Sequence, residues 1–116
     1  MTDRNPEQPL QVTVNSRHLN EPAQAKAYAL EKFGRIGRFS PSLRTVTVML
    51  QPEGMQFTCE ATLIQDHHAR IAVSMMSGDL NSAIDMAVER AERLLVREKE
   101  RVSERRHRPS PKNGED

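Results

Sequence analysis

At Ser77 the hydrophobic period of the chain changes, and that change restricts the fold more than any other feature of the sequence. Before it lie three runs in which apolar and polar residues alternate. The first is LRTVTVML from Leu43 to Leu50; in the second Phe57, Cys59, Ala61 and Leu63 alternate with Thr58, Glu60 and Thr62; in the third Ile71, Val73 and Met75 alternate with Arg70, Ala72 and Ser74. A period of two marks a strand with one buried face. The QPEG of Gln51 to Gly54 supplies a Pro and a Gly for the first turn, and Asp66-His67-His68 a polar second turn, so the three strands form a hairpin-linked meander. After Ser77, Leu80, Ile84, Ala87, Val88, Ala91, Leu94, Leu95 and Val102 recur at threes and fours. That spacing predicts a long amphipathic helix, with Ser77 or Asp79 as its N-cap.

Upstream, LQVTV from Leu10 to Val14 alternates like a strand, and the turn-like NSRHLN ends at Asn20, placed to cap a helix with Pro22 in its first turn. This helix is expected to run to about Phe39. The order is then β-α-β-β-β-α, an α+β fold in which two helices pack on one face of a four-stranded mixed sheet, the first strand pairing in parallel through the helical crossover. A chain of 116 residues supports one core. The expected domain spans 10–104, flanked by a polar, Pro-containing leader at 1–9 and a basic, polar tail at 105–116, both expected to be disordered.

Composition removes several classes of function. With 36% hydrophobic residues, three Phe, one Tyr and no Trp, the core must be built from Ala, Val, Leu, Ile and Met, which gives no reason to expect a deep ligand cavity. The six Met residues read as soft packing, and Cys59, inside a period-two apolar row, as an inert buried thiol. A single cysteine forms no internal disulfide, no apolar leader precedes Leu10, and no run reaches the roughly 20 apolar residues of a membrane span, so a reducing, cytoplasmic setting away from membranes is expected. His67 and His68 stand beside Asp66, but adjacent strand residues point to opposite sides and no further ligands complete a metal site. No Gly-rich phosphate loop or nucleophile elbow is present. Neither a cofactor nor an enzymatic activity is expected.

A formal net charge of +1 does not by itself point to nucleic acid, so any such case rests on where the charges lie. On a wheel with Leu80 at zero, the apolar residues of the last helix centre near roughly 20°. Arg90, Arg93, Arg97, Arg101 and Arg108 fall between roughly 220° and 300°, whereas Asp85, Glu89, Glu92 and Glu100 fall between roughly 120° and 200°, with Glu104 as the exception inside the arginine sector. Glu and Arg at this spacing also suit solvated helix pairs, Glu89 with Arg93 and Glu100 with Arg97 and Arg101, each adding only ~0.2–0.5 kcal/mol. The first helix brings further cations: Lys32, Arg35 and Arg38 at intervals of three, with Lys26 before them. Cations beside the buried stripes of both helices are expected to make a broad basic band that meets several phosphates, which the planar guanidinium grips in bidentate fashion.

These pieces in this order resemble the short form of the ribosome hibernation-promoting factors, also called ribosome-associated inhibitors or ribosomal subunit interface proteins. The resemblance covers about Leu10 to Val102. It rests on VTVNSRHLN, AYALEKFGRIGRF, RTVTVMLQPEG, CEATLI and above all GDLNSAIDMAVERAERLL. It implies a β-α-β-β-β-α domain that binds the small ribosomal subunit near its decoding centre, blocks translation and stores the idle ribosome. Family members use basic helix residues against ribosomal RNA; by matching position these are Lys26, Lys32, Arg35, Arg90, Arg93 and Arg97, to which the helical geometry adds Arg38 and Arg101. The family's long form carries a further C-terminal domain that dimerises ribosomes, which is not expected here. A free monomer with no DNA partner is expected.

Three departures stand out. Ser77-Gly78-Asp79-Leu80-Asn81 replaces an acidic pair followed by Met-Tyr, Asp66-His67-His68 replaces a glycine-rich turn, and Arg105-Arg106-His107-Arg108 extends the basic segment. Two other binding classes remain open at this point. A stand-alone double-stranded RNA-binding domain shares the layout but usually brings lysines to the start of its final helix; a protein-interaction module would carry the charges only as solvated surface.

Overall fold

The computed structural model describes residues 10–66 and 69–107, with backbone alone from residue 102 onward. Strand β1 (Gln11–Ser16) is followed by helix α1 (Pro22–Gly34), a short 3-10 helix (Ile36–Phe39), strands β2 (Leu43–Glu53), β3 (Gln56–Gln65) and β4 (Arg70–Ser77), and helix α2 (Leu80–His107). The sheet order is β1-β2-β3-β4, with β1 parallel to β2 and the other pairs antiparallel. The predicted α+β architecture is the observed one. The 1–9 leader, His67 with His68, and 108–116 lie outside the described residues, as do the side chains of Arg105 and Arg106.

The core lies between the sheet and the helical layer. Val46, Val48 and Leu50 of β2, Cys59, Ala61 and Leu63 of β3, and Val73 of β4 meet Ala25, Ala29 and Phe33 of α1 and Ala83, Ile84, Ala87, Ala91 and Leu95 of α2. Phe33 is the one phenylalanine that is fully buried. Helix α1 packs against β1, α2 against β3 and β4, and the helices touch along one side. Because β4 runs parallel to β2 and each helix returns along the sheet, α1 and α2 point the same way. Burial pushes the Cys59 thiol up to about 12, so it remains protonated within the core.

Several boundaries differ from the sequence reading. Helix α1 stops at Gly34 rather than near Phe39, and the 3-10 turn that follows buries Ile36 and Gly37. Pro41 ends that 3-10 turn: the residue before a proline is held out of the helical region, and Ser40 is extended at φ −157°, ψ 102°. At the other end, Glu21 rather than Asn20 occupies the cap position, without a side-chain cap bond, and Pro22 starts the helix with its preset φ. The hairpin between β2 and β3 turns at Gly54-Met55, so the strand continues through Pro52 and Glu53. Gly54 has φ +65°, which a residue without Cβ adopts at no steric cost. Pro52 is tolerated inside β2 because β1 has already ended, at the pair Ser16 and Leu50.

A register shift between Leu43 and Thr45 lets Leu43 and Val46 both face the core although they are three residues apart. Beside it, buried Gln65 donates from Nε2 to the hydroxyls of Ser40 (3.2 Å) and Ser42 (3.1 Å), tying the end of β3 to the segment after α1. Helix α2 is preceded by Asp79, whose carboxylate accepts from the Ser82 N–H at 2.9 Å while Ser77 Oγ accepts from the Asp79 N–H at 3.3 Å. Asp79 is therefore the N-cap and Ser77 its support. The helix backbone continues to His107, past residue 104.

Candidate nucleic-acid interface

The position of every candidate cation follows from which edge of α2 faces α1. Tyr28 of α1 donates its hydroxyl proton to Asp85 of α2 at 2.6 Å. Asp85 lies in the acidic sector of the wheel, roughly 120° from the buried centre, so that sector is turned toward α1. Arg90, Arg97 and Arg101 lie on the opposite flank, at roughly 260° to 300°, with Arg93 nearer the outward crest at roughly 220°. All four are exposed.

On α1, with Ala25 at zero, the buried Ala25, Ala29 and Phe33 fall at roughly 0° to 80°, and Tyr28, Lys32 and Arg35 at roughly 280° to 340°, the edge that faces α2. Lys32 Nζ stands 5.3 Å from the centre of the Tyr28 ring, within cation–π range. Arg38 follows in the 3-10 turn, 5.2 Å from the Phe39 ring. Lys26, at roughly 100°, lies on the far flank of α1 and is half-buried.

The expected single basic band is thus two groups and an outlier. Lys32, Arg35 and Arg38 form one group beside the inter-helix seam. Arg90, Arg93, Arg97 and Arg101 form another along the outer side of α2. Asp85, Glu89 and Glu92 stand between them, and Lys26 is separate from both. The wheel of one helix shows two polar edges but not which edge its neighbour takes; only the tertiary contact decides it.

Ion pairs modify this charge map without cancelling it. Arg35 reaches Glu31 at 2.9 Å, Arg93 reaches Glu89 at 3.9 Å, and Arg101 reaches Glu98 at 2.6 Å. Arg101 therefore pairs with Glu98, not with Glu100, because Glu98 at roughly 0° lies half-buried under it. Such exposed pairs are each worth ~0.2–1 kcal/mol and yield to a competing anion. Among the described residues Lys26, Lys32, Arg38, Arg90 and Arg97 have no carboxylate within 4.0 Å. Sequence reasoning did not single out Lys99, an exposed cation on the α1 side of α2 at roughly 100°. Its signal, a lysine between two glutamates, is that of an ordinary solvated helix face.

The Tyr28 hydroxyl is held above its ordinary value, first by the hydrogen bond to Asp85 and then by burial and nearby carboxylates. A raised value favours the protonated phenol in the folded chain. The tie is thus intact below the unfolded value and lost as pH rises through the raised one. Tyr28 is the one tyrosine in a chain without tryptophan. An alkaline absorbance titration is expected to show a midpoint above 10 that falls when Asp85→Ala removes the acceptor; a midpoint unaffected by that change would refute the tie.

No metal-ligand cluster occurs among the described residues. Nor, among them, is any helix long and apolar enough to cross a membrane.

A family model described as Sigma 54 modulation protein / S30EA ribosomal protein matches residues 12–103. The chain is 26% identical over 102 residues to a protein of Azotobacter vinelandii named ribosome hibernation promoting factor, covering 88% of this chain and 94% of that one. A protein of the same name from Pseudomonas putida is 27% identical over 92 residues, covering 79% and 89%. Among solved structures, a ribosomal subunit interface protein from Coxiella burnetii superposes with a TM-score of 0.70 at 12% identity, covering 78% of this chain and 98% of that one. The N-terminal domain of Protein Y from Thermus thermophilus gives 0.65 at 24% identity, covering 77% and 97%. These two structures share the fold of this chain.

Proposed function

The chain belongs to the family of Sigma 54 modulation proteins and S30EA ribosomal proteins, and on that premise we propose that it binds the small ribosomal subunit and holds idle ribosomes out of translation. Its relatives are named for ribosome hibernation, and this chain covers nearly their whole length. The contact is to ribosomal RNA in the decoding region, made by the outer arginine flank of α2, with Lys32 of α1 and Arg35 and Arg38 just after it meeting RNA separately and Lys26 at the margin. It works by occupancy in the cytoplasm, without a catalytic step.

The observation that carries this reading is the segregation of charge on α2. A near-neutral chain presents Arg90, Arg93, Arg97 and Arg101 along one exposed flank, with Arg90 and Arg97 unpaired among the described residues. Arginines in file along a helix meet successive phosphates, and the counterions they displace drive association. A stand-alone double-stranded RNA-binding domain fits less well, because a carboxylate, Asp79, caps the end of α2 where lysines would be needed.

Sedimentation of the purified protein with vacant ribosomes and separated subunits tests the proposal. The protein is expected in the small-subunit and whole-ribosome fractions, with translation inhibited in an extract. Recovery in the supernatant at low salt would overturn it.

A further inference from the structure

The outer flank of α2 stands over an open edge of the sheet. Helix α2 lies on β3 and β4 with its Asp85 side toward α1, so Arg90, Arg97 and Arg101 stand on the side beyond β4. Strand β4 is the last of the sheet. The bond from the Gln65 N–H to the Ala69 carbonyl fixes the phase of its ladder. Ile71, Val73, Met75 and Ser77 turn their N–H and C=O groups toward β3, and Arg70, Ala72, Ser74 and Met76 turn theirs outward. These last four residues are exposed, and their outward backbone groups have no partner among the described residues.

Arg70 joins this edge to the arginine flank. The eight residues of β4, at about 3.4 Å each, are retraced by about 18 residues of α2 at about 1.5 Å each, which brings Arg97 level with Arg70. Arg97 belongs to the helical layer and Arg70 to the open face of the sheet, so the two guanidiniums flank one edge from opposite sides. Arg70 has no carboxylate within 4.0 Å among the described residues. Over the opposite edge, at β1, helix α1 presents one cation, Lys26, and it is half-buried.

We propose that Arg70 and the outward edge of β4 form a further RNA-binding site, which holds one extended strand of ribosomal RNA along the arginine flank of α2. The outward N–H groups donate to phosphate oxygens, and the alternating C=O groups accept from 2′-hydroxyls. Arg70 and Arg97 meet the backbone phosphates from the two sides. Glu60, opposite Ser74, lies one strand inward on the open face and keeps phosphates at the edge itself. A second copy of the chain fits this edge poorly, because pairing β4 with β4 would bring two arginine flanks together. The inference rests on the ribosome-binding reading above.

The test joins two measurements on isolated small subunits. Arg70→Gln is expected to weaken binding about threefold or more and to make the salt dependence shallower by about 1 in log–log slope, with Arg70→Lys between it and the parent and denaturant unfolding unchanged. Residue-resolved hydrogen exchange is expected to find the Ala72, Ser74 and Met76 amides fast in the free protein and about tenfold or more slower in the complex, with Val73 and Met75 slow in both. Fast exchange at the outward amides in the complex would overturn the site. So would their protection with Arg70→Gln binding as the parent does, which would mark a protein strand on the edge, or their protection in the free protein at raised concentration, which would mark a second copy. In each case subunit binding by the parent leaves the ribosome reading standing. Absence of subunit binding by the parent would instead overturn that reading, and this inference with it.

Discussion

Replacing Arg90, Arg93 and Arg97 together by glutamate is expected to abolish association with the small subunit while leaving the domain folded. The three side chains are exposed, and only Arg93 makes an ion pair, at the outer limit of 3.9 Å. Exposed substitutions of this kind usually shift stability by less than about 0.5 kcal/mol each. The effect on binding is much larger. Each cation at a phosphate contributes roughly −0.7 to −0.9 to the slope of log affinity against log salt. Reversal also places three carboxylates where phosphates would lie, so affinity is expected to fall by well over about tenfold. A folded triple variant that still pellets with the subunit would remove the arginine flank from the mechanism.

The largest expected effect on stability comes from Phe33→Ala. Phe33 is the one fully buried phenylalanine in a core otherwise made of aliphatic, Ala and Cys side chains. It sits in the last turn of α1, packed in the cluster that joins the helices to the sheet. Small neighbours such as Ala29, Ala87 and Ala91 have no long side chains with which to fill the space. Removing a buried aromatic ring costs ~3–5 kcal/mol, a large share of the ~5–15 kcal/mol that holds a domain together. Denaturant unfolding is expected to show a loss in that range with an unchanged slope; a loss below about 1 kcal/mol would mean that the cavity closes or that the ring is not buried.

The strands and α2 were legible because their periods are unambiguous: two for Val46-Val48-Leu50, threes and fours for Ile84-Ala87-Val88-Ala91-Leu95. The end of α1 was not, although a clue is present. Phe33, Ile36 and Phe39 recur every three residues, and so do Lys32, Arg35 and Arg38; three per turn is the repeat of a 3-10 helix, not of an α-helix. Reading that spacing as continued α-helix carried the boundary to Phe39. At the hairpin, Pro52 signalled a turn more loudly than Gly54, yet the early end of β1 gives Pro52 a place in the strand. The candidate cations were legible as residues, and their grouping was not. That depended on Tyr28 meeting Asp85, a contact between residues 57 positions apart.

The central claim is that the outer flank of α2 holds ribosomal RNA through its arginines. It is tested most directly by the affinity of the protein for isolated small subunits across salt from about 50 to about 200 mM, with the triple glutamate variant measured alongside. Seven cations on phosphates, the four arginines of α2 with Lys32, Arg35 and Arg38, predict a log–log slope of about −5 to −6 for the parent, with binding by the variant lost or its slope reduced to about −3 or weaker. A slope near zero for the parent, or equal slopes and affinities for the two proteins, would contradict the claim.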